Sequence, residues 1–200
     1  WTEVDGEEQL FLYSSDNSAS ARQLGATPNG WHFAPAWAPD GERLAWGDER
    51  FRVHVTDVAT GRSAVADSAE WEINEYAWSP DGRFLAYTAT LENFYGQIRV
   101  WDRQTGGVHI LTDPMFNSFS PAWDADGEFL YILADQHANP YLDRFEARFI
   151  VNNVTRPYVF ALQAGEELPF APLGDTGDNE DDDEDDDEDE DGEGDGENGD

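Results

Sequence analysis

The chain has 200 residues and no cysteine, which excludes disulfides and cysteine-based metal sites and fits a reducing compartment. Its formal charge is −33, every one of its 11 basic residues is arginine, and about 18 acidic residues follow Leu173, leaving the body near −15. A surface this acidic repels phosphate backbones and argues against nucleic acid as a partner, and no apolar run approaches the roughly 20 residues of a membrane span.

Acid excess without lysine has two readings. One is adaptation to high salt, where repulsion between surface carboxylates is screened. The other is an acidic protein from a compositionally biased genome.

Trp1 to Gly30 reads as the last part of a repeat. Asp5–Gly6 has the composition of a turn, Gln9–Tyr13 follows as a strand, and Ala19–Leu24 suits an outer strand. The chain starts at Trp1, inside this unit, and is expected to be a segment of a longer protein.

Next comes A-W-A-P-D-G-E-R-L-A-W-G, Ala36 to Gly47. The phrase returns as A-W-S-P-D-G-R-F-L-A-Y-T at Ala77 to Thr88 and as A-W-D-A-D-G-E-F-L-Y-I-L at Ala122 to Leu133. Each copy reads as strand, tight turn, strand. In the second, Pro80 presets φ near −65°, Asp81 bonds locally, and Gly82 accepts positive φ. Phe84, Ala86 and Thr88 then share one face while Leu85 and Tyr87 share the other, as in a strand buried between layers. The turn glycines Gly41, Gly82 and Gly127 set a period of 41 to 45 residues, the length of one four-stranded propeller blade.

The first full repeat, Trp31–Asp67, should place strands at His32–Trp37, Arg43–Gly47, Phe51–Asp57 and Ser63–Ala66. Phe51, Val53 and Val55 alternate onto one face, and Val58–Arg62 turns through Gly61. The second, Trp71–Asp113, adds a longer hairpin loop at Leu91–Gly96, a strand at Gln97–Asp102 and another at Val108–Thr112. The third, Asn117–Leu162, deviates: a polar loop spans Asp135–Pro140, Tyr141–Val151 mixes aromatics with charges, and Arg156–Leu162 is a final strand.

The fold expected is all-β, a partial propeller of three to four blades over 1–164, with an exit linker at 165–174. A disordered Asp/Glu/Gly-rich tail is expected over 175–200, because it cannot bury enough apolar area to offset its ordering entropy. Three blades and a fraction do not close a ring of the usual 4 to 8.

P-A-W-x-P-D-G followed by an apolar strand resembles the propeller repeats of TolB, of prolyl-oligopeptidase-type enzymes and of Tricorn peptidases. The stretch from Thr112 to Asp135, with N-P-Y-L-D-R-F-E-A-R-F (Asn139–Phe149), T-R-P-Y-V-F-A-L (Thr155–Leu162) and E-L-P-F-A-P (Glu167–Pro172), is similar to the end of the second Tricorn propeller. The resemblance covers about Trp1 to Pro172. It implies a non-catalytic propeller segment that guides peptides or scaffolds a downstream PDZ domain and serine peptidase region, oligomerisation of the parent, and a cytoplasmic setting, with the periplasm as the alternative. The alternative functions are a TolB-like propeller that binds a protein partner without hydrolysis and the propeller of a prolyl-oligopeptidase-type peptidase. The long acidic tail departs from that family pattern.

Candidate chemistry is sparse. There is no G-x-S-x-G elbow, and Ser79 and Ser120 suit backbone satisfaction in the repeated phrase. His32, His54, His109 and His137 show no ligand or triad spacing. Asp40, Asp81 and Asp126 recur as turn residues rather than a carboxylate ring, and Trp37, Trp78 and Trp123 as inter-blade packing. Asp187, Asp189, Asp191 and Gly192 open like an EF-hand loop, but Asn198 stands where a bidentate glutamate is required. No metal or cofactor is expected. Asn153–Thr155 matches a glycosylation triplet by pattern alone. The substrate-binding candidates are Arg144, Arg148 and Arg156, a cationic group in an acidic body able to hold a peptide carboxylate, or else to pair with Asp143, Glu146 or Glu166.

Overall fold

The computed structural model describes residues 1–16, 19–25, 30–137, 139–142, 149–152, 154–162 and 167–170, with backbone only at 139–142 and 149–152. The chain divides into two units, Trp1–Leu168 and Pro169–Asp200. All the strands described lie in the first. Of the second, only Pro169 and Phe170 are described, so the expected tail at 175–200 and most of the linker at 165–174 lie outside the described residues.

The first sheets are small. β1 (Thr2–Val4) pairs with β2 (Glu7–Gln9) around the Asp5–Gly6 turn, and β3 (Phe11–Leu12) pairs with β4 (Arg22–Gln23). The strand expected at Gln9–Tyr13 is interrupted at Leu10, whose carbonyl accepts the Leu24 N–H at 2.8 Å.

Two four-stranded antiparallel meanders follow. The first runs β5 (Ala36–Trp37), β6 (Arg43–Gly47), β7 (Arg52–Asp57), β8 (Ser63–Ser68). The second runs β9 (Ile73–Trp78), β10 (Phe84–Thr90), β11 (Gly96–Asp102), β12 (Val108–Ile110). The third repeat begins the same way with β13 (Asn117–Trp123) and β14 (Phe129–Asp135). It then inserts a hairpin, β15 (Asn139–Leu142) with β16 (Phe149–Asn152), before β17 (Thr155–Ala161) returns alongside β14. The long loop expected over Asp135–Pro140 is therefore shorter, and the described ends of the mixed aromatic and charged stretch lie in two strands that pair with each other; 143–148 lie outside the described residues.

The initial strands β5, β9 and β13 neighbour one another without pairing, which makes them the inner strands of successive sheets. This is the fan of a partial β-propeller. Strand alternation in the middle of each sheet supplies apolar residues to both of its flanks. Leu85, Tyr87 and Ala89 pack against Ala45, Val53 and Val55 of the preceding blade. Ala86, Ile98 and Val100 pack the other way, against Leu130, Ile132 and Ala134. Leu44 and Trp46 close on Leu10 and Leu24 of the first sheets. Each large side chain so buried contributes roughly 1.5–3 kcal/mol, and that burial lies between blades rather than within them.

Other strands are shorter than expected: Ala19–Leu24 forms only Arg22–Gln23, Val108–Thr112 only Val108–Ile110, and two starts in the first full repeat move. Phe51 is not the first residue of β7: it sits at φ 59° in the preceding turn, its carbonyl accepting the Ala69 N–H. His32 lies outside β5 and makes only an isolated bridge to Asp48. Gly61 does take positive φ, and a second constraint acts there: a Cβ on Gly25 would lie 2.1 Å from the Gly61 carbonyl oxygen, so the two backbones touch.

Candidate functional site

Arg144 and Arg148, with Asp143 and Glu146, fall in 143–148, and Glu166 in 163–166, both outside the described residues. Arg156 is half-buried on β17, opposite Ala134. The described structure therefore places one member of the expected cationic group, at the edge of the third blade.

The repeated turns use their polar residues on the backbone. Asp40 Oδ1 accepts the Glu42 N–H at 2.8 Å, and Asp81 Oδ1 accepts the Arg83 N–H at 3.0 Å. Ser79 Oγ accepts the Phe84 N–H at 2.9 Å, and Asp124 takes the equivalent role for Phe129. Ser120 belongs elsewhere: it occupies a bulge of β13 at φ 55°. There its N–H and hydroxyl donate to Glu75, which sits at the same φ in the bulge of β9.

Glu75 also accepts from Thr88 Oγ1 at 2.7 Å, so one carboxylate ties two inner strands. Further out, Asp67 of β8 accepts the Tyr87 hydroxyl at 2.7 Å and Arg99 Nη1 at 3.1 Å, both from the next blade. Burial, then the hydrogen bond to Asp67, drives the Tyr87 phenol far above its ordinary range. Trp78 Nε1 donates to the Ala36 carbonyl at 3.3 Å, and Trp123 Nε1 repeats the contact one blade on, to Ala77 at 2.9 Å. Trp37, expected to pack likewise, is 50% exposed.

Among the described residues, the densest titratable cluster is buried in the first full blade. Asp48 Oδ2 accepts His54 Nε2 at 2.8 Å together with Nε and Nη2 of Arg52, and Oδ1 receives the Arg50 and Arg52 N–H groups. Burial pushes the Asp48 carboxyl up, but the bonds from Arg52 and His54 outweigh it and leave its pKa lowered. Burial also lowers the His54 pKa against the pull of Asp48, so the imidazole is neutral at pH 7 and donates from Nε2. The His54 ring stacks on Trp46 at 4.1 Å. His32 is likewise buried, with Nδ1 3.3 Å from Glu8 and its ring on Trp1 at 4.5 Å. No nucleophile belongs to this cluster. It fixes the turn that holds Phe51 at positive φ.

That turn opens onto a rim formed by the hairpin loops and the connections between blades. Phe51 and Trp71 lie 5.9 Å apart, and Trp71 and Phe94 5.4 Å apart, a continuous aromatic row across two blades. Phe94 has φ 63°, so bulky residues hold left-handed backbone at matching turns of both blades. Trp71 is 42%, Phe94 71% and Met115 73% exposed. Asn93 Nδ2 bonds the Pro114 carbonyl at 3.0 Å, carrying the rim on toward Met115. Sequence reasoning missed this row. The available signal was apolar residues recurring in the loops at the period of the repeats.

Residues 2–198 match the family described as the Tricorn protease second beta propeller domain. The Tricorn protease of Thermoplasma volcanium is 31% identical over 172 residues, which cover 82% of this chain and 16% of that protein. The Tricorn protease homolog of Saccharolobus solfataricus is 29% identical over 145 residues, covering 72% of this chain and 13% of its own length. A crystal structure of the tricorn protease superposes with a TM-score of 0.72 at 27% identity, covering 80% of this chain and 16% of that one. TolB from Acinetobacter baumannii shares the fold, with a TM-score of 0.50 at 21% identity over 70% of this chain and 36% of its own.

Proposed function

Because the chain belongs to the Tricorn second β-propeller family, we propose that it is the non-catalytic propeller segment of a longer serine peptidase, guiding peptides and supporting a catalytic region elsewhere. The family match carries this reading. The geometry is consistent with it: Ser79 and Ser120 are committed to turn and bulge contacts, and the buried His54 is committed to holding a turn. A propeller whose polar groups stitch blades together suits rigid support better than bond cleavage.

Incubating the purified chain with fluorogenic peptides of several lengths tests this. No turnover above buffer is expected. Hydrolysis that tracks the protein through purification and is abolished by a serine-directed inhibitor would overturn the reading.

A further inference from the structure

We propose that the aromatic rim is a docking strip for an extended peptide that alternates basic and apolar side chains. The proposal rests on the scaffold reading and names the chemistry of the peptide being guided. Phe51, Trp71 and Phe94 form a row of rings in mutual contact. Exposed carboxylates flank it: Glu70 and Glu72 on either side of Trp71, and Glu92 two residues before Phe94. Among the described residues, none of these three carboxylates is in an ion pair, and Arg50 is the one exposed base on the Phe51 turn.

Exposed rings on loops that also carry unpaired carboxylates favour peptides with guanidinium or ammonium groups, which stack on the rings, and with apolar side chains, which pack on the same aromatic surface. Acidic peptides are repelled by the same charges. The left-handed φ at Phe51 and Phe94 is a second observation. At Phe94 this backbone presents a ring that is 71% exposed, whereas Phe51 is half-buried at the end of the row, and strained backbone of this kind clusters at functional sites.

The test is fluorescence anisotropy of a labelled octapeptide of alternating arginine and leucine, titrated with the whole chain, against the same peptide with glutamate for arginine. The tail carries many carboxylates of its own, so the variants are chosen to leave it untouched. Trp71→Ala and Phe94→Asn are each expected to weaken binding about tenfold, as loss of a cation–π contact would. Asparagine tolerates left-handed φ, so Phe94→Asn should keep or raise the urea midpoint while binding falls, a pair of changes that a purely structural role would not give.

Three outcomes would overturn the proposal: no binding of the basic peptide, binding unchanged in both variants (tail electrostatics alone), or a wild-type dimer that Phe94→Asn converts to monomer. Peptide cleavage during the titration would instead count against the scaffold reading.

Discussion

Tyr87→Phe isolates one stitch between blades. The ring is fully buried, and removing its hydroxyl leaves no sizeable cavity, so the loss is that of the bond to Asp67 at 2.7 Å. A hydrogen bond to a charged group contributes about 1.5–3 kcal/mol. The Asp67 side chain is 16% exposed and keeps Arg99, so partial rehydration puts the expected loss near the lower bound, about 1.5–2 kcal/mol. Urea denaturation followed by far-UV circular dichroism should show a lower midpoint at unchanged slope. In a double-mutant cycle with Arg99→Met, the two losses should not add, because both donors meet the same carboxylate oxygen. A change within about 0.5 kcal/mol, as for an ordinary surface substitution, would refute the inter-blade role.

Gly96→Ala places a Cβ 2.4 Å from the Ser118 carbonyl oxygen of the next blade, so β11 and β13 must part. It should cost about 1–3 kcal/mol in the same denaturation experiment. His54→Gln tests the buried dyad through pH. Burial holds the His54 pKa below its ordinary 6.5, so as pH falls through that value the unfolded chain takes the proton first and the folded state loses stability. The variant lacks that loss, so the stability gap between wild type and variant should narrow as pH falls from about 7.5 to about 5.5. A constant or widening gap would contradict the buried neutral imidazole.

The repeated A-W-x-x-D-G phrase made most of the fold legible. Arg43–Gly47 forms a strand with the expected bounds, and the Phe84–Thr88 alternation supplies both neighbouring cores. Its failures have local causes. Phe51 reads as the start of an alternating strand, but the Asp48 turn before it claims its backbone. Asn139–Leu142 and Phe149–Asn152 break the pattern of the earlier repeats because they pair with each other, outside the blade's own ladder. The rim escaped notice because loop aromatics follow no strand or helix period. Only their recurrence from blade to blade marks them, and the stacking that joins them depends on contacts distant in sequence.

The most direct test of the stacked blades is indole hydrogen exchange of the folded chain, read by NMR. The account expects protected N–H signals for Trp78 and Trp123, whose donors reach Ala36 and Ala77 in the preceding blade, and rapid exchange for Trp31, which is 76% exposed. If Trp78 and Trp123 exchanged as fast as Trp31, those inter-blade contacts would be absent and the fan of blades would be contradicted.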